Sequence, residues 1–180
     1  MQPLTYVAFV GARRVAEGSL PEVLPALKQR FDAGRAELAL VFERETGRQV
    51  EFDLRGSLGE ALARAEPEAP RGPGRPRLGV TGREVTLLPR HWDWLDQQPS
   101  GASASLRRLV EQAMKADPEG ERARLSRAAL ARVLTAIAGD RPGFEEACRA
   151  LYAGEIGRFT SLVSRWPRDV RAYAEARLAG

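Results

Sequence analysis

The stretch Arg83-Glu84-Val85-Thr86-Leu87-Leu88-Pro89-Arg90-His91-Trp92, continued by Ser103-Ala104-Ser105-Leu106-Arg107-Arg108-Leu109-Val110-Glu111-Gln112-Ala113, decides how this chain reads. Residues 83–88 have the β-branched and apolar composition of a short strand. Pro89 stands where a helix can begin, because the first helical residue needs no N–H donor. Trp92 and Leu95 give that helix an apolar side, and Pro99 stops it early. Gly101 then permits a tight reversal and Ser103 offers an N-cap for a second helix. Along that helix Leu106, Leu109, Val110 and Ala113 recur on one face, with Arg107, Arg108, Glu111 and Lys115 largely on the other. The expected order over 78–117 is strand, helix, glycine turn, helix.

Upstream lies a segment of opposite character. Pro67, Pro70, Pro73 and Pro76 stand among glycines and arginines, a composition that cannot bury apolar surface and reads as a linker or arm. From Pro70 to Arg90 five arginines face one glutamate, so the arm is electropositive and suited to phosphates or a narrow minor groove. Ser57 and Glu60 have capping-box spacing and predict a short helix before it, which makes 57–77 a helix followed by the arm.

The first 56 residues read as a small antiparallel sheet with one helix. Thr5–Val10 is rich in β-formers, Gly11 breaks the run, and Arg14–Ala16 can return beside it. Ser19 and Glu22 form a second capping box, after which Leu20, Val23, Leu24, Leu27 and Phe31 share a helical face, interrupted only by Pro25, and Gly34 supplies a stop. Leu38, Leu40 and Phe42 alternate, as do Val50, Phe52 and Leu54 beyond the turn Glu45-Thr46-Gly47, which predicts a hairpin. The charges between them, Glu51 and Asp53 included, are the solvated side of a half-buried sheet, not a catalytic pair. Residues 118–180 read as helices over 125–137, 144–152, 156–166 and 170–178.

The fold class expected is therefore α+β, with boundaries near 56, 77 and 117. Hydrophobic residues make up 43% of the 180 and charged residues 29%, and no apolar run is long enough to span a bilayer, so the chain is expected to be soluble and cytoplasmic with no membrane partner. Its net charge of +4 and pI near 9.8 come almost wholly from arginine, whose planar donors suit phosphates and guanine edges. Cys148 and His91 are the single cysteine and histidine, which excludes an intrachain disulfide and any His/Cys metal cluster. No Gly-x-x-x-x-Gly-Lys occurs and His91 has no nucleophile beside it in sequence. No catalytic residue, metal or cofactor is expected, and the chain is not read as an enzyme.

Residues 83–113 resemble the ribbon-helix-helix superfamily, in which strands of two protomers pair into a ribbon that enters the major groove. The Ser103–Ala113 run is similar to its second helix. That resemblance implies a homodimer, base-facing positions at Arg83, Val85 and Leu87, and a phosphate anchor at Ser103 and Ala104. Of the base-facing positions only Arg83 carries a good reader, and a one-residue slip would present Glu84 and Thr86 instead. Gly74-Arg75-Pro76-Arg77 resembles the Gly-Arg-Pro core of AT-hook peptides, which adds Arg71, Arg75 and Arg77 to the expected DNA contacts. The whole chain resembles an uncharacterised bacterial family of about this length, through Tyr6–Phe9, Gly74–Pro76, Val85–Trp92 and Pro142–Ala147. Two readings follow: a dimeric DNA-binding transcriptional regulator, or an antitoxin-like interaction module that pairs through the ribbon and grips a protein through its C-terminal helices.

Overall fold

The structure is a computed structural model that describes residues 4–34, 37–66 and 82–179. Strands β1 (Thr5–Val10), β2 (Arg13–Ser19), β3 (Leu40–Glu43) and β4 (Gln49–Val50) form one antiparallel sheet in the order β2-β1-β3-β4. Helix α1 (Leu20–Asp32) leaves β2 directly and runs through Pro25 without a break. After the sheet comes α2 (Leu58–Ala65), and the remaining described residues form α3 (Pro89–Asp96), α4 (Gly101–Ala116), α5 (Pro118–Ala138), α6 (Phe144–Ala153), α7 (Ile156–Leu162) and α8 (Arg168–Ala179). The α+β class thus holds, with a four-stranded sheet first and a mostly helical remainder.

Both capping boxes form as their spacing requires. Glu22 Oε2 accepts from the Ser19 N–H at 2.7 Å, and Glu60 Oε2 accepts from the Ser57 N–H at 2.7 Å. Each carboxylate thereby occupies a backbone donor at a helix start that no intrahelical carbonyl can reach. These hydrogen bonds hold the carboxyls of Glu22 and Glu60 below the ordinary range.

The sheet departs from expectation in having no solvated face where β1 and β3 run. Tyr6, Ala8 and Val41 point into a core with Leu20, Val23, Leu24 and Leu27 of α1 and Ala61 of α2. Val7, Phe9 and Phe42 point the opposite way, into a second core with Leu130, Val133 and Leu134 of α5, Leu151 of α6, Phe159 of α7 and Tyr173 of α8. Strand alternation alone sends these residues to opposite faces. Helices distant in sequence cover the second face because their own apolar stripes would otherwise stay wet. Phe9 meets Tyr173 edge-on at 5.5 Å, and the Arg14 N–H donates to Asp169 Oδ2 at 3.0 Å. Trp166 is a buried anchor whose indole donates to the Pro142 carbonyl at 3.2 Å. Burial pushes the Tyr173 hydroxyl up to about 12, so it stays protonated at any ordinary pH. Cys148 is half-buried on α6, and burial raises its thiol, so it is a weak nucleophile.

The described residues consequently group into two units, one within Met1–Pro67 and Arg122–Gly180, the other within Glu68–Glu121. The first holds the sheet and both cores.

The β3–β4 hairpin is a second correction. The alternation from Leu38 to Leu54 predicts a hairpin, yet only Val41 with Val50 and Phe42 with Gln49 pair. Phe52 and Leu54 turn instead toward α1 and α2, where Phe52 meets the Tyr6 ring edge-on at 5.5 Å. Asp53 sits in a cluster with two arginines. Arg55 binds it at 2.8 and 2.9 Å, Arg64 lies 3.4 Å away, and together they hold its carboxyl far below the usual range.

The turn of this hairpin is built around Glu43, which is buried and accepts from the Thr46 hydroxyl at 2.7 Å and from Arg48 Nε at 3.2 Å. The Arg48 bonds, followed by Thr46, keep its carboxyl below its ordinary value of 4.5. A carboxyl lowered on folding contributes stability that is present above the unfolded value and is lost as pH falls through the folded one. Thermal melts stepped downward from pH 5 should therefore show part of the acid destabilisation disappearing in Glu43→Gln, which should also melt earlier than the parent at pH 7. An unchanged acid profile would show that Glu43 has no linkage role.

Candidate nucleic-acid interface

The unit within Glu68–Glu121 contains every residue that the sequence assigns to DNA contact. Arg71, Arg75 and Arg77 lie outside the described residues. Residues 82–88 form neither helix nor strand in the single chain, so the strand expected at 83–88 is absent there. The physical reason is simple: a strand is defined by a partner, and among the described residues this segment has none. Arg83, Glu84, Val85 and Thr86 are all exposed and Leu87 is half-buried, so no alternation of burial is seen along the segment.

Pro89 opens α3 as expected, with Leu88 as an extended N-cap. The helix has only eight residues, and Leu95 is its one buried side chain. His91 is exposed at its start. The reversal follows through the Gly101 N–H, which donates to the Gln98 carbonyl at 3.0 Å, with Gly101 itself at φ +73°. That left-handed conformation is why a glycine stands there.

The expected N-cap on α4 needs correction. The cap is Ser100, and the helix starts at Gly101, so Ser103 lies inside the first turn. Once Gly101 has made the reversal, the chain is already helical two residues before Ser103. The serine inside the turn that matters structurally is Ser105, wholly buried, with its hydroxyl 3.1 Å from that of Ser100. Ser103 still falls among the first three helical residues, where backbone N–H groups have no intrahelical acceptor and the helix dipole favours an anion, whereas Ala104 is the fourth and stands where its N–H can reach the Ser100 carbonyl.

Of the apolar face expected on α4, Leu106 is half-buried, while Leu109, Val110 and Ala113 are exposed. Leu109 is 40%, Val110 56% and Met114 64% exposed. Met114 extends the stripe expected from the sequence, and its place four residues after Val110 is the signal for it. On the preceding elements Val85, Leu88, Trp92 and Trp94 are exposed as well. Seven of the thirteen exposed large apolar side chains thus lie in this unit, which supplies a small minority of the described residues. Monomeric surfaces rarely concentrate apolar side chains in this way unless something covers them.

Charge in the unit is uneven. Arg83 and Arg90 precede or open α3, Asp93 and Asp96 follow within it, and Lys115 on α4 is paired with Glu111 at 2.9 Å. Arg107 and Arg108 are exposed on α4 as well. Among the described residues no three His, Cys, Asp or Glu side chains gather as a metal site, and no helix is long and apolar enough to cross a membrane.

Residues 5–179 match the model of a family described as an uncharacterized protein conserved in bacteria, DUF2239. No curated protein and no solved structure matches the chain.

Proposed function

The chain belongs to the bacterial family DUF2239, and we propose that it is a homodimeric DNA-binding regulator of the ribbon-helix-helix kind. The observation that carries this reading is the set of exposed apolar side chains within residues 82–116, coupled to a segment at 82–88 that has no strand partner among the described residues. A second copy answers both needs at once. Two 82–88 segments paired antiparallel satisfy each other's backbone groups, and two α4 helices bury Leu109, Val110 and Met114 against one another. The paired ribbon then presents Arg83, Val85 and Leu87 to base edges, Ser103 and Ala104 face a phosphate, and Arg71, Arg75 and Arg77 supply an electropositive arm.

Binding to a pool of random-sequence duplexes across a salt series tests this. The parent should bind with steep salt dependence and enrich a two-fold symmetric site. Arg75→Ala with Arg77→Ala should weaken binding to all sequences and reduce the salt slope by roughly 2, one for each phosphate no longer neutralised. Arg83→Ala should relax the enriched site. No binding at moderate salt would overturn the reading. Glu84 and the apolar Val85 and Leu87 at base-facing positions favour, in that event, a protein-interaction module that keeps the ribbon for pairing and uses the C-terminal helices for a protein partner.

A further inference from the structure

Where β3 and β4 part, residues 37–39 and 51–55 run without strand pairing over the last turns of α1. The gap is a groove of about 420 Å³, walled mainly by Leu27, Phe31, Leu40, Val50, Phe52 and Leu54. That is within the span of small-molecule sites, a few hundred to roughly 1,000 Å³. A segment whose alternation is intact but whose ladder is unmade breaks a local rule inside a regular sheet, and such breaks concentrate where something else has to fit.

The groove is not shaped for an added peptide strand. Arg64 Nη2 already donates to the Asp53 carbonyl at 3.1 Å and also to the Arg55 carbonyl, and the Arg55 N–H donates to Asp53 Oδ1 at 3.1 Å. An incoming strand would find that ladder occupied.

The deepest charge in the groove is cationic. Arg30 lines it with a side chain only 14% exposed, and its nearest carboxylate, Glu37, lies at 3.9 Å, beyond hydrogen-bonding reach, and is itself 75% exposed. Arg30 Nε is buried and meets no acceptor among the described residues. Asp53 is held by Arg55 and Arg64, and Glu51 is exposed on the rim. A mostly buried guanidinium whose paired carboxylate is exposed and beyond hydrogen-bonding reach, set in apolar walls, is matched by an anion that carries its own apolar body.

We infer that this groove binds a small amphipathic acid, its carboxylate on Arg30 and its apolar tail between Leu27, Val50 and Phe52. The site lies within the sheet unit and stands whether or not the other unit binds DNA.

Octanoate titrated into the full chain, followed by calorimetry and backbone amide NMR, tests the inference, with octanol as the uncharged probe. Saturable octanoate binding should shift the amides of Leu38–Val41 and Gln49–Arg55, and octanol should bind about tenfold more weakly, the loss of one charge-assisted hydrogen-bonded pair. Arg30→Met should give a similar loss and Arg30→Lys should recover part of it. Ala39→Leu, which fills the groove and leaves Arg30 in place, should also weaken binding, with thermal melts checking that each variant folds. Absence of saturable binding, equal affinity for octanol, or amide shifts outside the groove would each overturn the inference.

Discussion

Replacing Gly47 with alanine is expected to cost this protein roughly 3–5 kcal/mol, from strain in a left-handed backbone together with a forced separation of packed elements. Gly47 sits at φ +65° in the β3–β4 turn, where an L side chain is strained whatever the surroundings. The turn is also pressed against α5: a Cβ there would come within 2.9 Å of the Ala129 carbonyl carbon and closer still to its oxygen. Neither side can yield cheaply. Ala129 is helix backbone, and the turn is tied to the same helix by Arg132 Nη1, which donates to the Thr46 carbonyl at 2.6 Å. Gly34 supplies the control, because it too has positive φ, at +61°, but has nothing near its would-be Cβ. Gly34→Ala should therefore lose only the backbone term, about 1–2 kcal/mol. For a chain of this size the difference corresponds to a separation on the order of 5–10 °C between the two melting temperatures. Equal shifts for the two variants would mean that the close approach to Ala129 contributes nothing.

The second large effect concerns assembly. Leu109→Asp combined with Val110→Asp should convert a dimer to a monomer, weakening self-association by on the order of a thousandfold, because each copy would bring unpaired carboxylates into an apolar contact. The single chain should fold as before, since both side chains are exposed within it. Sedimentation equilibrium over a concentration series reads the first outcome and near-ultraviolet circular dichroism the second. DNA affinity should fall with the dimer, because a monomer has no ribbon and forgoes the gain from engaging two half-sites together. A parent that sediments as a monomer, or a double variant that remains dimeric, would remove α4 as the pairing surface.

Much of the local structure is legible in the sequence because it is set by neighbours. Ser19 with Glu22 and Ser57 with Glu60 close their boxes within one turn, Pro89 opens a helix, Gly101 reverses the chain, and α6 and α8 appear close to their expected spans, whereas α5 already starts at Pro118 and α7 ends at Leu162. The four sequence blocks that resemble a bacterial family agree with a match over 5–179. Where sequence and structure differ, the common cause is dependence on other parts of the chain. Serine is a good cap, which points to Ser103, yet Gly101 has already turned the chain and Ser100 caps it. The Leu38–Leu54 alternation predicts a hairpin, yet its ladder stops after two pairs and Phe52 and Leu54 pack against the core beneath α1 and α2, beside the groove that Arg30 lines. No periodicity in the sequence announces that groove.

By itself the sequence determined the α+β class and the starts of α1, α2, α3, α6 and α7, since these follow from side-chain period, caps and breakers acting over a few residues. Only the tertiary structure decided that the sheet is covered on both faces, that Gly47 must be glycine because α5 lies against it, and that Leu109 and Val110 of α4 are left exposed. Each of these depends on residues far apart in sequence, and a hydrophobic pattern records which face seeks cover without recording what covers it.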